Sequence, residues 1–567
     1  MFIKRYTIIL TIALTFVLTA ITSADEKAPA HNPIIWMDVP DMAMIRVGDT
    51  YYMSSTTMHM APGLPIMKSK NLVDWELVNY AYDILEDNDA LSLRNGKKTY
   101  GAGSWASSIR YHNETFYVST FASSTGKTHV YTTKDIEKGP WHEAKFSPAL
   151  HDHSLFFDDD GRVYMLHGAN NLRLVELESD ASALKPGGFN DFVIRDASLV
   201  AAARIGLGAE GSQMFKKDGK YYVCNITWPP NDMRTQLIHR ADKITGPYEG
   251  RVILRDGGIA QGSLIDTPDG KWYAYLFQDH GAVGRIPYIV PVEWKEGFPI
   301  LGTDGKVPMT LNIPKEGSGL GNIVTSDEFD RSGTLLAALA AKPRGENDYV
   351  RDAFPLAWQW NHNPDNRYWS LTDRPGWLRL TTGRVDKHFL EARNSLTQRT
   401  FGPQCAAVTL IDVSNMKDGD YAGLAALQKQ YGFVGVKMQD GVKSVVMVNT
   451  VNDLPNEEDI VALEGNLVHL KIECDFRDRA DTARFYWSGD GKDWKVIGKP
   501  LKMRYTLPHF MGYRFALFNF ATQTSGGYAD FDYYHIDRIL VASALTEGMC
   551  LISADTNIHL YHVASLW

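Results

Sequence analysis

Asp41, Asp152 and Glu210 occupy one equivalent position of a repeat, and Trp105 and Gln261 complete the set. Each lies 11 or 12 residues before the last tyrosine of a polar turn followed by an aromatic. The turns are Gly48-Asp49-Thr50-Tyr51-Tyr52, His112-Asn113-Glu114-Thr115-Phe116-Tyr117, Asp160-Gly161-Arg162-Val163-Tyr164, Asp218-Gly219-Lys220-Tyr221-Tyr222 and Asp269-Gly270-Lys271-Trp272-Tyr273. Acids held at one position of a repeat can converge on a single point. Three carboxylates that close cannot all ionise freely, so at least one should hold its proton above the ordinary range. Acid/base cleavage of a glycosidic bond needs such a separation: one carboxylic acid protonates the departing oxygen while another, as carboxylate, activates water. The competing duty for an Asp at a strand start is a turn or cap. That duty is the expectation for Asp38 and for Asp158 to Asp160, which lie near the set but off its register. Glu210 sits in Gly208-Ala209-Glu210-Gly211-Ser212, where small neighbours let a ligand approach.

The elements that would position these residues follow from the same repeat. The tyrosine-to-tyrosine spacings of 65, 47, 58 and 51 residues suit a four-stranded sheet plus loops. Strand-like segments precede and follow each turn, so residues 25–302 read as a five-bladed β-propeller. The innermost strands of a propeller line its central channel, and the five positions would face one another across it. The rival is a sandwich with coincidental turn–aromatic pairs. Gly302, Gly305, Pro308, Pro314, Gly317, Gly319 and Gly321 break up residues 303–326, which read as a linker. Two-residue alternation over 327–546 predicts a β-sandwich, and 547–567 carry no pattern. The chain is expected to be all-β.

A net charge of −9 over 567 residues gives no basic stripe for nucleic acid. Lys4 and Arg5, the apolar run from Ile8 to Ile21 and then Thr22-Ser23-Ala24 have the order of a signal peptide, residues 1–24. That predicts an exported protein, periplasmic or secreted, with no membrane attachment after cleavage; the alternative is an uncleaved anchor. Cys224, Cys405, Cys474 and Cys550 lack zinc-site spacing. A Cys405–Cys474 disulfide competes with buried thiols, the expected state.

The segment from Val39-Pro40-Asp41 to Tyr51-Tyr52 resembles the opening of glycoside hydrolase family 43, as do Asp152-His153-Ser154-Leu155-Phe156 and Ala209-Glu210-Gly211, in that order. The resemblance implies a five-bladed propeller that inverts at the anomeric carbon, with Asp41 as general base, Glu210 as general acid and Asp152 tuning the acid. Phe277 to Arg285 looks like a later family segment, implying sugar contacts from Arg285 and His280. Trp358-Gln359-Trp360, Arg393-Asn394 and Ala529-Asp530-Phe531-Asp532 resemble the sandwich of one branch. Two departures stand out. Met42 follows Asp41 where a proline is common, and Ala260-Gln261 occupies the fifth-blade place of a histidine that in many members helps hold a central metal. An amide is the poorer metal ligand. No cofactor is required, and no metal is placed at the acids. Asp327, Asp330, Asp530 and Asp532 could hold a structural calcium through oxygen, with turn and strand-end duty as the alternative. The expected activity is exo-release of terminal α-L-arabinofuranosyl units from hemicellulose-derived oligosaccharides, with Trp105 facing the sugar ring and Gln261 beside it. The alternatives are β-D-xylosidase action, alone or in addition, and a non-catalytic sugar-binding propeller.

Overall fold

The structure is a computed structural model that describes residues 28–317 and 320–539. The segment read as a signal peptide, Cys550 and the patternless tail lie outside the described residues.

Five four-stranded antiparallel sheets follow one another along the chain, each built from strands in sequence order. The blade-opening strands are Ala43–Val47, Ser107–His112, Ser154–Phe157, Leu207–Lys217 and Ala260–Asp266. The polar turns are the first hairpin of each blade. A tight hairpin needs positive φ to match strand twist, and Gly48, Gly161, Gly219 and Gly270 all adopt it. The second blade has no glycine there, so Asn113 and Glu114 take φ of 47° and 57° instead.

The glycine- and proline-rich segment departs from its reading as a structureless linker. Thr310–Pro314 forms a strand and pairs antiparallel with Pro29–His31. The buried Asn32 side chain ties this pair to the fifth blade, donating to the Ile289 and Pro308 carbonyls and accepting from the Ile289 amide. The start of the propeller is thereby fastened to its end.

The second half is a β-sandwich of two large sheets. Neighbouring strands Gln404–Asn415 and Leu467–Asp475, paired antiparallel in one sheet, alternate buried and half-exposed residues, the pattern of a sheet with one packed face. Cys405 and Cys474 lie directly opposite on these strands as buried thiols. The two halves share a sheet: Met60–Ala61, from a loop of the first blade, pairs with Gln359–Asn361 at the sandwich edge.

Candidate active site

The repeat position that carries the acids is a break in the strand ladder. Asp41, Asp152 and Gln261 have φ of 51°, 47° and 63°, a left-handed conformation that costs a non-glycine residue energy. Asp41 and Asp152 precede their strands, as their spacing predicts. Glu210 and Gln261 instead lie inside theirs, where the pairing register shifts on either side of them. Such bulges re-aim a side chain. Beside Glu210 the left-handed residue is Gly211, where a Cβ would sit 2.8 Å from the Gln261 side chain. Only glycine fits there, and this brings blades four and five together behind the acid.

The polar groups divide into two sides. On one, the buried Asp41 carboxylate accepts from Arg285 Nη1 at 2.7 Å and Gln261 Nε2 at 2.8 Å through the same oxygen. Burial pushes the Asp41 carboxyl above its ordinary range, while Arg285 and Arg234 pull it back toward the ionised form. Arg285 is itself buried, with its Nε and Nη2 left without partners. On the other side, the Asp152 carboxylate accepts from the Gly211 amide at 2.9 Å, and His151 Nε2 lies 3.2 Å from Glu210 Oε2. Burial, opposed by His151 and reinforced by the charges of Glu210 and Asp41, pushes Asp152 up to about 7. Burial works against the charged form of His151, yet its bond to Glu210 and the adjacent acids raise it to about 9. His151 and Asp152 therefore share protons as a pair, with Glu210 hydrogen-bonded to the histidine. That pair stores protons at neutral pH, whereas Arg285 draws Asp41 back toward the bare carboxylate against its burial.

Trp105 forms part of an aromatic wall, with its ring 6.1 Å from Phe121 and 4.8 Å from Phe510. Phe510 comes from the sandwich and also lies beneath the Arg285 guanidinium, 4.7 Å from it. The loop that carries Phe510 is stitched to the propeller. Gly512 donates to Asp38 and Tyr513 to the Ala282 carbonyl, both at 2.9 Å. A Cβ at Gly512 would lie 2.2 Å from the Val283 carbonyl oxygen. His280 hydrogen-bonds Gln278 and packs edge-on against Trp36, and among the described residues it has no hydrogen bond to any of the three acids.

His151 and Phe510 escaped sequence reasoning. His151 could have been flagged as the neighbour of an in-register acid. Phe510 carries no repeat signal, because its position depends on how two domains dock.

His151, Asp152 and Glu210 also form the group of His, Asp and Glu side chains among the described residues that could hold a metal, with ligand atoms within 4.8 Å of one another. The amide at Gln261 acts as a donor to Asp41, not as a metal ligand. Two of the four sandwich aspartates are held by arginines. Asp530 is gripped by Arg379 at 2.8 and 2.9 Å, and Asp327 by Arg331 and the Trp358 indole. These bonds occupy the carboxylate oxygens of both residues.

Two family models match the chain, "Glycosyl hydrolases family 43" over residues 30–299 and "Beta xylosidase C-terminal Concanavalin A-like domain" over 346–537. A beta-xylosidase of Formosa agariphila is 29% identical, with 89% of this chain and 90% of that protein covered. A non-reducing end alpha-L-arabinofuranosidase of Bacteroides ovatus is 28% identical, covering 75% of this chain and 78% of that one. The solved structure of a bifunctional GH43-CE protein of Bacteroides eggerthii is 57% identical and superposes with a TM-score of 0.86. It covers 91% of this chain, and this chain spans 64% of that protein. The motifs, the propeller with its acids and these matches over both halves agree: the chain belongs to glycoside hydrolase family 43 and is a glycosidase.

Proposed function

We propose that the protein is an exported, exo-acting, inverting glycosidase that removes a single terminal pentosyl unit from hemicellulose-derived oligosaccharides, with β-D-xylosyl as the favoured unit. The observation that carries the chemistry is the asymmetry across the channel. Asp41 faces a fixed guanidinium and an amide donor, which suits a carboxylate that activates water. Glu210 sits beside the raised Asp152 carboxyl and is bonded to His151, which suits a donor to the departing oxygen. Asp152 acts through Glu210, orienting it and setting its proton supply. Trp105 and Phe510 supply the apolar face for a sugar ring, with Arg285 and Gln261 holding Asp41 and reaching hydroxyls beside it.

The preference for xylose reverses the order drawn from sequence. It is supported by the beta-xylosidase matched over nine-tenths of its own length and by the name of the sandwich model. Arabinofuranosyl release remains the second reading, favoured by the Bacteroides ovatus relative. A leader peptide, read from the N-terminal order of charge, apolar run and small residues, supports export.

The test is turnover of nitrophenyl β-D-xylopyranoside, nitrophenyl α-L-arabinofuranoside and xylobiose, with Glu210→Gln as control. The expected result is release from the xylosides and a loss of about 100- to 10,000-fold in the variant on xylobiose. The loss should be smaller with nitrophenol, which departs with little proton help. Faster release from the arabinofuranoside would reverse the sugar assignment, and wild-type rates in the variant would remove Glu210 from the chemistry.

A further inference from the structure

Behind the wall formed by Pro40 and Phe510, where propeller and sandwich meet, two guanidinium groups are buried without acid partners. Arg399 is 2% exposed and Arg514 5%. Neither forms an ion pair with a carboxylate among the described residues. Arg399 Nε donates to the Asp38 backbone carbonyl at 3.0 Å, and its Nη1 has no partner. The Tyr80 hydroxyl is a further neighbour of Arg399. Arg514 donates to Thr397 Oγ1 at 2.8 Å and to the Gln359 side-chain oxygen at 2.9 Å, both neutral acceptors. Burial and the like charge of Arg399 hold Arg514 down at about 9.

A cavity of about 10 Å³ lies between them, lined by Arg399, Arg514, Asp38, Thr57, Phe510 and Met511 among others. Asp38 supplies the only acidic side chain of this lining; its charge favours Arg514, but backbone amides take both its oxygens. One oxygen accepts from the Arg285 amide at 2.7 Å and the other from the Gly512 amide at 2.9 Å. Asp41, the next acid, is taken by Arg285. Three buried guanidiniums thus face two carboxylates. A buried charge with no counter-charge costs several kcal/mol, and an unpaired buried N–H adds to that cost. The space suits a single monatomic ion or one water and is too small for sulfate or phosphate.

We propose that this cavity binds one monovalent halide, chloride in ordinary salt, between Arg399 and Arg514. The ion supplies the missing negative charge and accepts the free N–H of Arg399. It sits at the seam that holds Phe510 and Asp38 in place, so it pins the sandwich loop against the catalytic channel.

The experiment uses the full chain in two arms. Crystals grown in bromide should give an anomalous peak within hydrogen-bonding distance of Arg399 Nη1. In solution, Tm at constant ionic strength should rise saturably as chloride replaces gluconate, and the rise should disappear in Arg399→Met. If that variant does not fold, the wild-type comparison still decides. A water without anomalous signal in the cavity, or equal Tm in chloride and gluconate, would overturn the proposal.

Discussion

Replacing Arg285 with methionine removes the charge that faces the proposed base while keeping most of its volume. The guanidinium and the Asp41 carboxylate are in contact at 2.7 Å, and both side chains are nearly free of solvent. With charge centres about 4 Å apart and an effective dielectric of about 20, the attraction is about 4 kcal/mol. Each pH unit corresponds to about 1.4 kcal/mol, so the full loss would move the ionisation by about three units. The Gln261 bond to the same oxygen is common to both proteins, and water admitted beside the uncharged methionine restores part of the lost solvation, which reduces the expected displacement to about two. The sign follows from which form Arg285 favours. It stabilises the carboxylate, so its removal makes Asp41 harder to ionise, and a base works only when ionised. The acidic limb of the kcat/KM–pH profile should therefore move up by about two units in Arg285→Met. Activity lost at neutral pH should return in part under alkaline conditions. The assay is kcat/KM for nitrophenyl β-D-xylopyranoside across the pH range, with circular dichroism to confirm folding. A uniform loss of activity with the acidic limb unmoved would refute the reasoning, because Arg285 would then act only as a substrate contact.

Phe510→Ala should lower kcat/KM by about 10- to 30-fold, the worth of roughly 1.5–2 kcal/mol of apolar contact with a sugar ring. The effect should fall mainly on KM, and unchanged kinetics would remove the sandwich from the site. Acid lability should be marked. Burial holds His59 at about 3 and His153 and His239 at about 4, far below an unfolded histidine. Their contribution to stability is complete above about 6.5 and is lost as pH falls toward 4. Burial also lowers His167 to about 4, and His362 and His509 with it, while Asp152, raised to about 7, Asp386 and Asp420, raised to about 6, and Asp41 keep protons in the fold and offset four of the six. The net difference of two protons predicts a fall of about 3 kcal/mol per pH unit between pH 6 and 4.5. Urea titrations at several pH values check this, and a flat profile would contradict it.

The repeat was readable because each blade spends the same residue types on the same hairpin, and polar turns with a following aromatic survive as pattern. Asp41, Asp152 and Gln261 were reachable by counting, since each takes the left-handed bend at the blade opening. Glu210 was found by the same count, although its bulge was not, because a bulge inserts a residue without altering composition. The strand at Thr310–Pro314 was hidden by its prolines and flanking glycines. Its pairing with Pro29–His31 links residues nearly 300 positions apart, which local propensity does not report. Phe510, Arg399 and Arg514 stayed invisible for a related reason. Their roles exist only once the sandwich docks on the propeller, and nothing in their local sequence marks that contact. The sandwich aspartates show the same dependence on distant partners. Acids close in sequence suggested a cation site, whereas arginines distant in sequence take up Asp530.

The central claim is that water attacks under Asp41 while Glu210 protonates the leaving oxygen, in a single displacement. The most direct measurement is the anomeric form of the first sugar released from nitrophenyl β-D-xylopyranoside, followed by proton NMR before mutarotation. The account predicts α-D-xylose as the initial product. Initial β-D-xylose would mean retention through a covalent intermediate and would contradict the assignment of Asp41 as a base.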